Sequence, residues 1–446
     1  MVFVGDPAHA PGDCAALLPL TDWPAWKLTD LELASLEDGV LPCPHGDSGS
    51  ASTERALPGA CLRSLAFLLH REEERLDTRR DQWGCFSGFS TRLGEWGVLD
   101  RPIVNQWALQ LSRRVRAWAE RRNHRLAEVP RWKNGKRFAV ALTHDVDWVR
   151  RYSVRQSLRL LGQARKPGSY AFRHGLRSTA EAIVHFADRS DPYCTFDRWM
   201  SEEAGHGFRS TFLFCPPHPK PRHEYDPTYL ETDRVQFRGR AMTVAGLMRA
   251  IAAAECEVGL HASYESYVRS EELSRQREQI ERAARIPIRG VRQHFLRFDI
   301  GRTWEAQERA GFAYDSTLGY NEAVGFRAGV GAPFHPWNPA TRDERTLLEL
   351  PMTLMDGTLF RTLKLTAAGA VERIRAHFDA IEQVGGLAVL LWHPNATDES
   401  AFPGWWDAYR EALQDLAGRD AWVAPAGEIA AWWLERGRQM DSASSQ

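Results

Sequence analysis

The sequence lacks the patterns that mark several classes of protein. No apolar run reaches the length of about 18 residues that a membrane-spanning helix requires, so we expect no transmembrane span. The seven cysteines are widely spaced and form no CxxC or Cys/His pattern, which argues against a disulfide framework and a structural zinc site. Free thiols in a reducing compartment are the simplest interpretation. We therefore expect a cytoplasmic protein, since the first residues also lack the segments of a signal peptide.

An excess of charge is missing as well. The chain has 57 Lys and Arg against 58 Asp and Glu, a net charge of -1, which gives no argument for binding nucleic acid or an anionic membrane. Its hydrophobic content of 43% is typical of a globular protein. At 446 residues the chain exceeds one ordinary core, so we expect an N-terminal accessory domain over residues 1–130 and a second domain over residues 136–435.

The two predicted domains differ in pattern. Helical periodicity around Leu62–Glu74 and Ile103–Arg122 predicts a small α-rich or α+β domain at the N-terminus. From Arg137 onward, short apolar runs alternate with amphipathic helical segments, which indicates a parallel sheet. Seven such runs favour a barrel over an open sheet: Phe138–Leu142, Ser210–Phe214, Cys256–Leu260, Ile288–Val291, Phe312–Tyr314, Leu347–Leu350 and Leu387–Leu391.

Most of the predicted strands end in side chains that can do chemistry. The first strand ends in Thr143, His144, Asp145 and Asp147, which taken alone would read as an ordinary polar cap before a helix. The pattern recurs, however, and the C-terminal ends of parallel barrel strands meet on one side of the fold. We therefore expect the polar groups of the other strand ends to converge with them: His261 and Glu265, Arg292 and His294, Asp315, Glu349, and His393.

These residue types fit a metal-assisted hydrolase. One Asp and two His on separate strands suit zinc or another divalent ion, with positions left open for water and substrate. Water bound to such an ion becomes a nucleophile at neutral pH, a second carboxylate can take its proton, and a separate histidine can protonate the leaving group. An arginine can hold that carboxylate through a bidentate contact.

The segment Thr143-His-Asp-Val-Asp147 resembles the first motif of the polysaccharide deacetylase superfamily, the NodB-like carbohydrate esterases. The resemblance extends over residues 136 to 430 in motif order and spacing, and it implies a distorted (β/α)7 barrel preceded by a smaller N-terminal domain. It implies Asp145 as catalytic base, Asp147 and His261 as metal ligands, Arg292 as the brace of the base and His393 as the catalytic histidine. The later motifs, among them Leu-Trp-His393-Pro-Asn395, are similar to those of a bacterial subgroup linked to surface polysaccharides.

Two positions depart from the pattern of that family. Val146 separates two aspartates that are usually adjacent, so the roles of Asp145 and Asp147 could be exchanged, or His144 could take part. The usual second histidine of the second motif is replaced by Glu265. We predict His294 as the third metal ligand, with Glu265 as the rival.

The resemblance implies a divalent metal, zinc in the first place, and removal of an N-acetyl group from an amino sugar or oligosaccharide of a bacterial surface polysaccharide. Without a secretion signal, a nucleotide- or lipid-linked precursor is favoured. A catalytically inactive sugar-binding or scaffolding protein is one alternative, and an amidase for a small non-sugar amide is another. His261 and His294 could also be ordinary core histidines. Asp315 and Glu349 could tie barrel loops together, the role that we favour for Glu349.

Overall fold

The computed structural model describes residues 61–124, 126, 129–151, 191–218 and 223–444, together with the backbone of four strands before residue 45. In chain order the strands are β1 (Val2–Gly5), β2 (Ala16–Pro19), β3 (Leu31–Leu36), β4 (Gly39–Pro44), β5 (Phe138–Val146), β6 (Thr211–Phe214), β7 (Arg234–Phe237), β8 (Arg240–Thr243), β9 (Glu257–Ala262), β10 (Gly290–Gln293), β11 (Tyr314–Asp315), β12 (Trp337–Asn338), β13 (Asp343–Glu344), β14 (Leu348–Glu349), β15 (Leu354–Met355), β16 (Leu387–Leu391) and β17 (Ala421–Val423).

Helices alternate with these strands over the second half of the chain. The α-helices are α1 (Cys61–Leu69), α2 (Glu72–Leu76), α3 (Arg92–Glu95), α4 (Ile103–Arg121), α5 (Phe196–Gly205), α6 (Val244–Ala253), α7 (Ser270–Ala284), α8 (Thr303–Arg309), α9 (Ala367–Val384), α10 (Trp405–Ala417) and α11 (Ala426–Ser444). None of the helices in the described part of the chain has the length and apolarity to cross a membrane.

A nine-stranded parallel sheet forms the centre of the fold. Its order is β14-β11-β10-β9-β6-β5-β16-β15, and β17 pairs with the first residues of β5. The short segment Leu350–Thr353 connects the two edge strands and bonds to both sides, through Leu350 N to Asp315 O (2.8 Å) and Thr353 N to Val389 O (3.1 Å). The sheet therefore curls on itself, which confirms the predicted distorted barrel of α/β class.

All seven predicted barrel strands are present, and the sheet contains two more. The additional strands β15 and β17, of two and three residues, lie outside the apolar runs that predicted the others. Helix α9 shows why the longer elements could be predicted. It begins after Thr366, whose side chain accepts a hydrogen bond from Gly369 N, and ends at Gly385 in the left-handed region (φ 60°).

The N-terminal helices pack directly on the barrel. Val104 N donates to Gly329 O (2.8 Å) and Phe326 N donates to Leu99 O (2.8 Å). The side-chain oxygen of Asn105 accepts a further bond from Gly331 N (2.8 Å). These contacts join residues before the predicted domain boundary near residue 130 to residues after it. The boundary itself stays a prediction.

Four cysteine side chains are described, and all four are free thiols: Cys85, Cys194, Cys215 and Cys256. Burial raises the pKa of each, so these thiols are held in the protonated form. The other three cysteines named by the sequence lie outside the described side chains. For the described ones, the expectation of unpaired cysteines is met.

Candidate functional site

A cleft with a volume of about 230 Å³ opens at the C-terminal edge of the sheet. Five of the predicted site residues line it: Asp145, Asp147, His261, His294 and His393. Other lining residues come from elsewhere in the chain, among them Trp83, Phe295 and Arg361. The strand ends therefore converge as the topology of a parallel barrel requires.

The pleat of β5 decides which of its polar residues reach the cleft. Side chains alternate between the two faces of a strand, so Asp145 and Asp147 share the inner face although Val146 separates them. His144 points to the opposite face and is fully buried. Its ring bonds Trp392 O (2.8 Å) and the Glu203 carboxylate (2.7 Å), so His144 does not take part in the cleft.

Asp147, His261 and His294 form a compact group of metal-ligand type. One oxygen of Asp147, Oδ1, lies 3.4 Å from His261 Nε2 and 3.4 Å from His294 Nε2, and the three ligand atoms all lie within 4.8 Å of one another. Atoms that ligate a tetrahedral zinc ion at about 2.1 Å are roughly 3.4 Å apart, so the spacing fits such an ion. Glu265, the rival third ligand, is engaged elsewhere with Arg297 (2.7 Å).

Each histidine of this group is oriented through its other nitrogen. His261 Nδ1 lies 3.2 Å from the backbone oxygen of Arg292, which directs Nε2 toward the carboxylates. His294 Nδ1 faces the Asp226 carboxylate at 3.6 Å, and Asp226 accepts a hydrogen bond from Tyr264 N (2.8 Å). Groups of this kind behind metal-binding histidines fix the ring and its tautomer. Asp226 was not predicted, because it lies in a loop outside the recognised motifs.

Asp145 is held by Arg292 rather than by the histidines. Arg292 Nη1 donates to Asp145 Oδ1 (2.9 Å) and to Thr143 Oγ1 (2.8 Å), while its Nε and Nη2 bond the backbone oxygen and the hydroxyl of Ser316. The contact is thus single and not the expected bidentate pair, because Ser316 occupies the other nitrogens. Asp145 Oδ2 remains 3.7 Å from His261 Nε2 at the cleft wall.

His393 is paired with a carboxylate that the sequence did not indicate. Asp356 accepts from His393 Nδ1 (2.8 Å) and from His393 N (2.7 Å), and its side chain is fully buried. Burial lowers the pKa of His393, but the carboxylates of Asp356, Asp147 and Asp145 outweigh it and raise that pKa to about 9. Asp356 follows the two-residue strand β15, and an acidic residue after a short apolar stretch is its only sequence signal.

Charges in the cleft stabilise one another. Burial raises the pKa of Asp147, but His294, His261 and His393 outweigh it and bring that pKa below its ordinary value. Burial lowers the pKa of His261, whereas Asp145 and Asp147 together raise it above its ordinary value. A divalent cation would take the place of the proton on His261 and satisfy the same carboxylates.

Asp315 and Glu349 are buried behind the cleft and do not line it. Asp315 Oδ1 accepts from Gln307 Nε2 (2.8 Å), and Glu349 Oε2 accepts from Trp304 Nε1 (2.7 Å). Burial and the neighbouring Asp315 raise the pKa of Glu349 well above its ordinary value, so this carboxyl group carries a proton. The two residues connect helix α8 with strands β11 and β14, which agrees with the structural role favoured for Glu349.

No protein-family model matches the chain, and no curated protein matches its sequence. Several solved structures with a similar fold are described as polysaccharide deacetylases or carbohydrate esterases. A protein described as a polysaccharide deacetylase, from Mycobacterium smegmatis, is 23% identical over 70% of this chain and 96% of its own, with a TM-score of 0.45.

Two further structures have lower identity. A family 4 carbohydrate esterase from Streptomyces lividans is 12% identical, over 65% of this chain and 92% of its own, with a TM-score of 0.31. A family 4 pseudoenzyme from Bacillus anthracis is also 12% identical, over 68% and 70%, with a TM-score of 0.31. At these values the function has to be inferred from the residues of the chain itself.

Proposed function

We propose that the protein is a metal-dependent hydrolase of polysaccharide-deacetylase type that removes the N-acetyl group of an amino sugar. One observation carries the proposal: a three-residue metal group, a carboxylate held by Arg292 and an imidazole held by Asp356 face the same cleft. These are the nucleophile, base and acid positions that amide hydrolysis requires.

The metal ligands would be Asp147, His261 and His294. A divalent ion at this position, zinc in the first place, supplies a water of lowered pKa and polarises the amide carbonyl. Asp145 is then the base: Arg292 holds its oxygen Oδ1, and its other oxygen, Oδ2, faces the cleft. The contacts support Asp147 as ligand and Asp145 as base over the exchanged roles.

His393 is the group that can protonate the departing amine. Because Asp356 accepts from Nδ1, the other nitrogen, Nε2, points into the cleft and lies 3.7 Å from Asp147 Oδ2. The raised pKa of His393 means that this imidazole holds a proton at neutral pH. An acid that is already protonated before attack suits expulsion of an amine.

A cationic side chain in the cleft also favours a substrate with negative charge. Arg361 lines the cleft, is exposed to solvent, and has its guanidinium 5.5 Å from the ring centres of Phe402 and Trp405. Among the described residues no carboxylate forms an ion pair with Arg361. A free, oriented guanidinium suits a phosphate or carboxylate group. A nucleotide- or lipid-linked precursor of a bacterial surface polysaccharide, handled in the cytoplasm, has that chemistry.

Two alternatives differ from this proposal in their chemistry. A sugar-binding or scaffolding protein without activity would not need the complete set of base, acid and ligands that the cleft holds. An amidase for a small non-sugar amide would use the same residues but would not need aromatic or cationic side chains at the rim of the cleft.

Metal content and acetate release test the proposal. We expect about one divalent ion per chain in the purified protein, and release of acetate from N-acetylated amino sugars. Asp145→Asn should keep the metal and lose activity by several orders of magnitude, whereas His261→Ala should lose both. Glu265→Gln is the matched control and should change neither, because Glu265 pairs with Arg297 outside the cluster. Absence of metal together with absence of acetate release would contradict the hydrolase.

A further inference from the structure

We infer that Trp83, which precedes the barrel in the chain, is a sugar-binding residue of the cleft whose indole ring stacks on a pyranose ring of the substrate. The inference rests on the proposed function for the identity of the reaction. It assigns a role in substrate binding to the N-terminal helical region, for which the sequence indicated none.

Trp83 belongs to an aromatic wall beside the metal group. It is half-buried and lines the same cleft as Asp147 and His393. Its ring lies 6.0 Å from that of Phe295, with an angle of 27° between the two planes. Phe295 directly follows His294, so the wall begins one residue from a predicted metal ligand.

Hydrogen bonds fix the segment around Trp83 to the barrel. Trp83 O accepts from the hydroxyl of Tyr264 (2.7 Å), and Cys85 Sγ donates to Phe295 O (3.1 Å). Farther along, Gly88 N donates to the Glu322 carboxylate (2.9 Å). Backbone and flanking residues thus fix the segment that carries the indole, and within the described part of the chain the ring itself forms no hydrogen bond. A side chain that is fixed before binding loses little conformational freedom when a ligand stacks on it.

The turn that carries the other half of the wall is strained. Phe295 (φ 57°, ψ 19°) and Leu296 (φ 53°) both adopt the left-handed region, which is rare for large side chains and costs free energy. Asn321 Nδ2 (2.8 Å) and Cys85 both donate to the carbonyl oxygen of Phe295 and maintain this conformation. Strain that is kept beside a binding cleft is typical of functional positions.

The surroundings of the wall favour a sugar over a flat apolar ligand. One side of the cleft has aromatic side chains, and its floor has the carboxylates of Asp145 and Asp147 and the imidazole of His261. A pyranose has one face of C–H groups and an edge of hydroxyls, which matches this division between apolar and polar surfaces. Ligand sites generally combine aromatic lining with a few oriented polar groups.

Steady-state kinetics and binding test the role of Trp83. With the β-1,4-linked dimer and tetramer of N-acetylglucosamine as probes, we expect Trp83→Ala to raise KM about tenfold with kcat within about twofold, because stacking stabilises ground state and transition state alike. Trp83→Phe should recover most of the loss. Trp96→Ala, at a half-buried tryptophan that does not line the cleft, is the control and should match the wild type.

Calorimetric binding of the same sugars to the inactive Asp145→Asn protein separates this inference from the proposed reaction. A tenfold weaker affinity after adding Trp83→Ala supports the wall even if no acetate is ever released. Unchanged affinity, a loss confined to kcat, or no binding of either sugar to the protein with Trp83 intact would overturn it. Thermal unfolding of each variant confirms that the backbone contacts of the segment survive.

Discussion

At the scale of single residues, the pairing of His393 with Asp356 determines what the imidazole can do. Asp356 binds both the ring and the backbone nitrogen of His393, so the ring cannot rotate without breaking a buried contact. Only one nitrogen is left for the substrate. Orientation and protonation are therefore fixed by the same carboxylate, as in catalytic histidines that depend on a buried acid.

Replacement of that acid should separate catalysis from binding. In Asp356→Asn we expect kcat to fall by about 10²–10⁴-fold while KM stays within a few-fold, since the tautomer and charge of His393 change and the cleft does not. Acetate release under saturating substrate measures the effect. Asp343→Asn, at an exposed position of hairpin β12–β13, serves as the control. A kcat within twofold of the wild type would contradict this role of Asp356.

The residue types of the site could be predicted, but only part of their pairing. His294 could be preferred over Glu265 because it lies in the same motif as Arg292, and the structure places it in the metal group. Asp356 and Asp226 could not be predicted, because each acts on a histidine that is distant in the sequence. Their roles depend on which strand ends become neighbours, which the barrel decides.

At the scale of elements, the close packing of β10 against β11 depends on a glycine, which has no side chain. Gly290 in β10 is the register partner of Tyr314 in β11. A Cβ atom at Gly290 would lie 2.0 Å from Cζ of the Tyr314 ring, whose hydroxyl bonds Glu257 (2.9 Å). The tyrosine therefore crosses beneath β10 in the space that the glycine leaves.

We expect Gly290→Ala to lower the free energy of unfolding by about 1–3 kcal/mol, because the ring of Tyr314 must move and its bond to Glu257 is lost. Gly205→Ala is the matched control: this glycine ends helix α5 with no atom within 4 Å of its added Cβ, and its substitution should cost less than about 0.5 kcal/mol. Chemical denaturation measures both. Equal stability of the two variants would refute the packing argument.

Most helices and strands of the barrel could be predicted from the sequence. The predicted barrel strands follow apolar runs, and the predicted helices follow a hydrophobic period. Strands β15 and β17 were not predicted because they lie outside the apolar runs, whereas the equally short β11 and β14 overlap such runs. The strained turn at His294–Leu296 was not predicted for another reason. Two of its large residues adopt the left-handed region of φ and ψ, which such side chains rarely occupy.

At the scale of the whole molecule, a buried charge cluster joins the N-terminal helices to the barrel. Glu74 accepts from Arg71 Nε (2.8 Å) and from Arg327 Nε and Nη2 (2.9 and 2.7 Å), and all three side chains are buried. Burial raises the pKa of Glu74, but Arg327 and Arg71 outweigh it and lower that pKa to about 2. The cluster links α2 to the loop that follows β11.

Glu74→Gln should destabilise the protein by roughly 3–5 kcal/mol at neutral pH, because two buried guanidinium groups lose their carboxylate. Since the folded pKa lies below the ordinary value of 4.5, this stabilisation is complete above pH 4.5 and is lost as the pH falls toward 2. The difference in the free energy of unfolding between the wild type and Glu74→Gln should therefore become smaller as the pH falls from 4.5 toward 2. Glu95→Gln, in an exposed pair with Arg92, should cost less than about 0.5 kcal/mol at any pH.

The arrangement of the sheet has a consequence for how the chain is made. Strand β5 lies in the middle of the sheet, yet its partners β16 and β17 are synthesised after all the other strands. Until then, the edge of β5 that pairs with β16 and the first residues of its other edge, which pair with β17, have no partner. Folding must wait for the end of the barrel, so a nascent chain stalled before Leu387 should expose an apolar strand and should be a target for chaperones.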